Sequence, residues 1–159
     1  MAKTNAELVQ EYDGFIGFID SLEDVLEDGK WGLPIAEGKW TVKDIVCHLM
    51  KWDKYFYEEA IHKIELNEPV TVKHLDFNEF NAQAVEYAKS RTRKEICDEF
   101  VEYRKRIISS ISGLQDEDYL RTYIDGDGKK FSICGYLRSF IPHDKKHKKQ
   151  IEKFMSMIA

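Results

Sequence analysis

Trp40-Thr41-Val42-Lys43-Asp44-Ile45-Val46-Cys47-His48-Leu49-Met50-Lys51-Trp52 is the stretch whose reading decides the fold. Thr41 can cap a helix, Asp44 three residues on can bond back to it, and Trp40 can pack on Ile45 as a hydrophobic staple. From this start Ile45, His48, Leu49, Trp52, Tyr55, Phe56 and Ala60 recur at spacings of three and four, the period of a helix with one side in a core. The same grammar returns near the end of the chain. Phe131 is placed to staple Tyr136 and Ser132 to cap, and Ile133, Tyr136, Leu137, Phe140, His143, His147, Ile151 and Phe154 then fall on one side. Pro142 lies inside this pattern, where it removes a backbone donor and crowds the carbonyl of Arg138, so a kink just before His143 is expected.

Outward from these two segments the pattern is again helical. Leu8, Tyr12, Phe15, Ile16, Ile19, Leu22 and Leu26 make one stripe from about Asn5 to Leu26. Gly29, Gly32 and Pro34 end it and open a loop that runs to Trp40. The segment from Glu65 to Leu75 contains Asn67 and Pro69, too irregular for a helix and longer than a tight turn, as suits a crossover between two helices that point the same way. A third helix is expected to begin after Asp76 or Asn78, break at Ser90 to Thr92, and resume through Ile96, Phe100, Tyr103, Ile107, Ile108 and Ile111 to a stop at Gly113. Asp125-Gly126 and Asp127-Gly128 are turn dipeptides that could tip a short hairpin. The reading is an all-α four-helix bundle, one domain over residues 1–159.

Composition fits an ordinary globular domain, 43% apolar and 33% charged. No run of 18 uncharged apolar residues occurs, and Met1-Ala2-Lys3-Thr4 leads into Asn5, Glu7 and Glu11 where a signal peptide would need an apolar stretch, so a cytoplasmic protein without membrane attachment is expected. The net charge of −5 argues against nucleic acid as a partner. The one basic cluster, Lys145-Lys146 with Lys148-Lys149, reads as a solvated helix end opposing the dipole. Cys47, Cys97 and Cys134 form no C-x-x-C pair and read as reduced, buried thiols, with only Cys134 near the helix start that an activated thiolate would need. No Ser-His-Asp order, phosphate-cradling glycine loop or nucleotide fingerprint is present.

His143 and His147, four residues apart, place two imidazoles on one helix face. A pair alone is weak evidence, since five histidines in 159 residues can produce it by accident. His48 adds weight, because it also lies on the core-facing stripe of its helix, where an imidazole must find partners for its nitrogens. Three neutral imidazoles could hold one divalent ion, zinc, nickel or another first-row metal, and leave a coordination position open. Trp52, Tyr55 and Tyr136, one or two turns away, could line a substrate cavity, although an aromatic stripe at helical spacing is first of all core. His62 and His74 lie outside the pattern and are expected to face solvent, and Asp44 is explained by capping.

The segment from Gly38 to Leu49 with Trp52-Asp53 after it, and the closing His143-x-x-x-His147, resemble the signature of DinB/YfiT-like proteins. Asp76-Phe77-Asn78-Glu79-Phe80-Asn81 and Leu114-Gln115-Asp116-Glu117-Asp118 are similar to that family as well. The resemblance implies an up-down-down-up bundle, a three-histidine metal site, transfer or isomerisation chemistry that uses a low-molecular-weight thiol in some members, and frequent homodimers. The ClbS/DfsB-like branch is also similar around the third helix, but often lacks the full histidine set that this chain retains. The expected function is that of a metal-dependent enzyme, a thiol-dependent transferase or a hydrolase, acting on a small electrophilic substrate. The alternatives are a noncatalytic small-molecule-binding or stress-sequestration bundle, and a hydrogen-bonded histidine cluster without metal.

Overall fold

The computed structural model describes residues 3–159, so Met1 and Ala2 of the N-terminal segment lie outside it. Each long helix begins where its cap chemistry places it. Thr4, Thr41 and Thr92 each accept from the backbone N–H three residues on, and Glu7, Asp44 and Glu95 return the bond. These capping boxes open α1 (Asn5–Val25), α2 (Val42–Phe56) and α5 (Arg93–Ser112). The axis of α2 continues through a π-helical turn, Tyr57–Ile61, into the short α3 (His62–Glu65). Asp76 caps α4 (Phe77–Lys89), and Ser132 caps α7 (Ile133–Ile158), which runs through Pro142 without interruption.

Side-chain pairs fix the directions. Lys3 with Arg138 and Glu11 with Lys145 set α1 parallel to α7. Tyr12 with Arg104 and Phe15 with Phe100 set α5 antiparallel to α1. Cys47 with Ala84 and Trp52 with Phe77 set α4 antiparallel to α2, whereas α2 and α5 run the same way. The bundle of α1, α2, α5 and α7 is therefore up-down-down-up, as expected.

The third helix needs correction. Ser90 to Thr92 is a reversal rather than an interruption, so residues 77–89 are a separate helix that returns along the outside of α2. Apolar spacing records which face is buried and says nothing of direction. A second unexpected element is α6 (Asp116–Leu120), opened by a capping box between Gln115 and Asp118. The hairpin forms as β1 (Tyr123–Ile124) against β2 (Lys130–Phe131), and Phe131 packs on Tyr136 with ring centroids 6.3 Å apart. The lysine cluster also moves. Lys145 to Lys149 lie mid-helix rather than at its end, with Lys145 bonded to Glu11 and Lys148 over the Phe18 ring.

Ile19, Leu22, Ile45, Val46, Ile96, Phe100 and Ile151 form one apolar cluster, and Leu8, Ile61, Ile107, Ile133 and Leu137 a second. Each such side chain contributes about 1.5–3 kcal/mol through burial. Between the two clusters lies a buried charge. Arg104 is 1% exposed and donates to both oxygens of Asp53 at 2.7 and 3.1 Å, to Asp144 at 2.9 Å and to the Tyr12 carbonyl at 3.0 Å. Burial works against its charge, but Asp53, Tyr12 and Asp144 more than offset that and hold the guanidinium protonated. This cluster joins all four bundle helices.

Among the described residues no helix is long and apolar enough to cross a membrane. All three cysteines are free and buried, and burial pushes the Cys47 thiol up to about 12, which removes it as a nucleophile at neutral pH.

Candidate metal centre and adjoining cavity

His48 is carried by α2, His143 and His147 by α7, and the two helices bring the three rings together edge to face, with centroids 4.7 to 5.2 Å apart. Each offers a ring nitrogen, and the three nitrogens lie within 4.8 Å of one another. His48 Nε2 and His143 Nε2 are 3.3 Å apart. Two imidazole nitrogens held tetrahedrally on one ion at ~2.0–2.1 Å would be separated by about 3.3 Å.

The neighbours decide where the protons sit. Trp52 Nε1–H can only donate, and it donates to Asn81 Oδ1 at 3.3 Å. That fixes the Asn81 amide with its oxygen toward the site, so His48 Nδ1, 2.9 Å from the same oxygen, must carry its proton there. His48 Nε2 is left as a bare lone pair facing inward. His147 Nδ1 donates to Gln150 Oε1 at 2.8 Å, which turns its Nε2 into the same role. His143 has one proton to give, and its buried Nδ1 has no partner among the described residues. The inward side thus holds more lone pairs than protons, an arrangement that a divalent cation satisfies and the protein alone does not. The residues fit a metal ion.

Asn81 was not among the residues singled out from sequence, nor was Gln150. The signal for Asn81 was present: it falls in the stripe of Phe77, Ala84 and Ala88 on α4, where a buried-side amide needs a reason. Asp44, by contrast, only caps. Because Asn81 sets the His48 tautomer, Asn81→Ala is expected to weaken metal affinity by about 10–100-fold, the usual cost of losing such a support. Competition with a chromophoric chelator measures this, and an unchanged affinity would deny Asn81 that part.

All three imidazoles resist protonation. Burial, reinforced by repulsion from His147 and His143, pushes His48 down to about 3. Burial and then His143 bring His147 down to about 4, and burial with Lys146 and Arg104 lowers His143. Below the unfolded value of ~6.5 the unfolded chain takes up protons that the folded metal-free chain refuses, so stability falls as pH drops from ~6.5 toward ~4. The expected slope is up to ~1.4 kcal/mol per pH unit for each of His48 and His147. Urea titrations of metal-free protein at neutral and mildly acid pH should show this, with a shallower dependence in a His48→Gln/His147→Gln variant. An equal slope in that variant would trace the acid sensitivity to other groups.

His48 and His143 line two cavities of about 470 Å³ each, and His147 lines the second of them. One is aromatic, lined by Trp52, Phe56, Phe77 and Phe140 with Lys73 and His74 at its rim. The other is more polar and presents Lys39, Trp40, Lys146 and Gln150. Of the three residues considered for a substrate cavity, Trp52 lines the aromatic one. Tyr55 does not: it reaches the backbone of Lys73 from outside. Tyr136 does not either, being 4% exposed in the core and bonded to the Tyr12 hydroxyl. Their stripe positions were right, but Tyr136 is sealed in the core behind the cavity, and the half-buried Tyr55 is held on the Lys73 backbone. His62 pairs with Glu65 on the surface, and His74 is exposed at the cavity rim.

The DinB superfamily profile matches residues 7–151. The chain belongs to the DinB superfamily. Among solved structures it is similar to YfiT from Bacillus subtilis, described as a probable metal-dependent hydrolase with an unusual four-helix bundle topology. That match has a TM-score of 0.76 at 17% identity and covers 99% of this chain and 90% of YfiT. It is also similar to the mycothiol-dependent maleylpyruvate isomerase, at a TM-score of 0.70 and 11% identity, covering 91% of this chain and 59% of the isomerase. No curated protein matches. At these identities the two structures share the DinB bundle with this chain, and the likeness carries fold alone.

Proposed function

We propose that this DinB protein is a divalent-metal-dependent enzyme that acts on a small electrophilic substrate, with His48, His143 and His147 as the ligands. The observation that carries the reading is the convergence of three ring nitrogens within 4.8 Å, one of them locked in the ligating tautomer by Asn81 and Trp52, beside two cavities that His48 and His143 both line. The metal-dependent description of YfiT and the thiol dependence of the isomerase support it as properties of bundle neighbours. When bound, the ion, zinc, nickel or another first-row metal, would polarise the electrophile or lower the pKa of a thiol or water. The chain's own residues do the rest. Trp52 and Phe140 line the aromatic cavity beside the ligands, and Lys146 on the polar side adds positive potential toward an anionic nucleophile such as a low-molecular-weight thiol. The protein works as a cytoplasmic homodimer in this reading.

Sequestration without turnover is the second reading, favoured by the size of the aromatic cavity. The deciding experiment mixes small thiols and a reporter electrophile with metal-loaded protein, chelator-stripped protein and a His147→Ala variant. Turnover only in the loaded wild type is the expected result. Equal rates in all three would sink the enzyme reading for that chemistry, and saturable substrate binding without turnover over a broad panel would transfer the proposal to sequestration.

A further inference from the structure

The aromatic cavity has features that folding does not require. Phe77, the first residue of α4, is 52% exposed at its mouth. An apolar ring left half in water adds little to stability, and such rings in a concave site mark ligand contact. Its ring lies 5.5 Å from that of Trp52, and Phe140, which also lines the cavity, lies 6.4 Å from Trp52, 4.8 Å from Phe56 and 5.5 Å from His143. Phe80 covers one face of Trp52 at 4.1 Å between ring centroids, whereas Phe77 meets Trp52 at 64° and Phe140 meets Phe56 at 63°, so the half-exposed Phe77 ring at the mouth is the one that presents a face to a flat guest. None of the lining residues carries a carboxylate, whereas Lys73 stands at the rim.

The rim is also fixed in place. The crossover segment that carries Lys73 and His74 is clamped by the hairpin, since Gly126 N–H donates to the Val72 carbonyl at 2.8 Å and His74 N–H to the Asp127 carboxylate. The clamp requires glycine: a Cβ at Gly126 would lie 2.7 Å from both the Lys73 side chain and the Thr71 carbonyl. A wall held this way loses little entropy when a ligand enters.

We propose that this cavity takes a planar aromatic anion, its ring between Phe77, Trp52 and Phe140 and its charge toward Lys73. The inference names the substrate class of the centre proposed above and rests on that reading for its catalytic meaning, but the binding itself needs no metal. The probe is 2-naphthoate, titrated calorimetrically into full-length protein both metal-supplemented and chelator-treated. Saturable one-to-one binding is expected in both samples. Phe77→Ser, which alters a half-exposed ring and leaves the core intact, should weaken it about tenfold, equivalent to ~1.4 kcal/mol, and Phe140→Ala at least as much. Lys73→Glu should weaken it similarly, and 2-naphthylmethylammonium should bind wild type at least tenfold less tightly. Absence of saturable binding, an affinity untouched by Phe77→Ser, or equal binding of the cation would overturn the proposal. Failure of naphthoate binding in protein that still takes up its ion would defeat this inference alone, and loss of ion uptake with naphthoate binding intact would defeat only the metal reading.

Discussion

Arg104→Met is expected to cost ~3–5 kcal/mol of stability, the penalty for removing one partner of a buried ion pair. The size follows from what is left behind. Asp53 and Asp144 are 2% and 4% exposed, and both direct their carboxylates at this guanidinium. Without it they must either stay charged in a dry core or bind protons, and each route destabilises the folded state. In a domain of this size the melting temperature should fall by on the order of 10 °C. Arg106→Met is the control, because the Arg106 to Glu102 pair is about half exposed and such surface pairs contribute ~0–1 kcal/mol. A loss for Arg104→Met within the range of the control would show that the buried cluster contributes no net stability.

His48→Ala should have the largest effect on metal binding, reducing about one ion per chain to almost none while far-UV circular dichroism stays near wild type. Three ligands with an open position are few for tight retention, so losing one of them leaves only the His143 and His147 pair. The helix survives because α2 is anchored by its capping box and by Ile45, Leu49 and Trp52 rather than by the imidazole. Ligand linkage supplies a second readout: a chelator should lower the melting temperature of wild type and leave His48→Ala unaffected. Elemental analysis should be done on protein purified without a histidine-containing tag. Metal content unchanged in both His143→Ala and His147→Ala would remove those residues from the site.

Several features of the centre were legible one residue at a time. His48 sits in a stripe with Leu49 and Trp52, and a ring there had to face inward. The His143 and His147 pair needed only the helical repeat. The Arg104 cluster was equally visible in principle, because Arg104 occupies the stripe between Phe100 and Ile107 where an arginine is tolerated only with buried carboxylates. Its partners were not legible, since Asp53 and Asp144 are 51 and 40 residues away in the chain.

Local chemistry therefore settled the helices, their starts and their inward faces, because a cap and a 3.6-residue period act within one turn and are written in adjacent residues. The sequence by itself determined that His48, His143 and His147 would be presented to a common core. Tertiary structure alone decided that α4 turns back along α2 and so delivers Asn81 to the His48 ring. It also decided that Trp52 lines the cavity while Tyr136 is sealed behind it, and that the hairpin clamps the crossover at the cavity rim. Those outcomes depend on contacts between segments far apart in the chain, and such contacts take effect only when the helices pack.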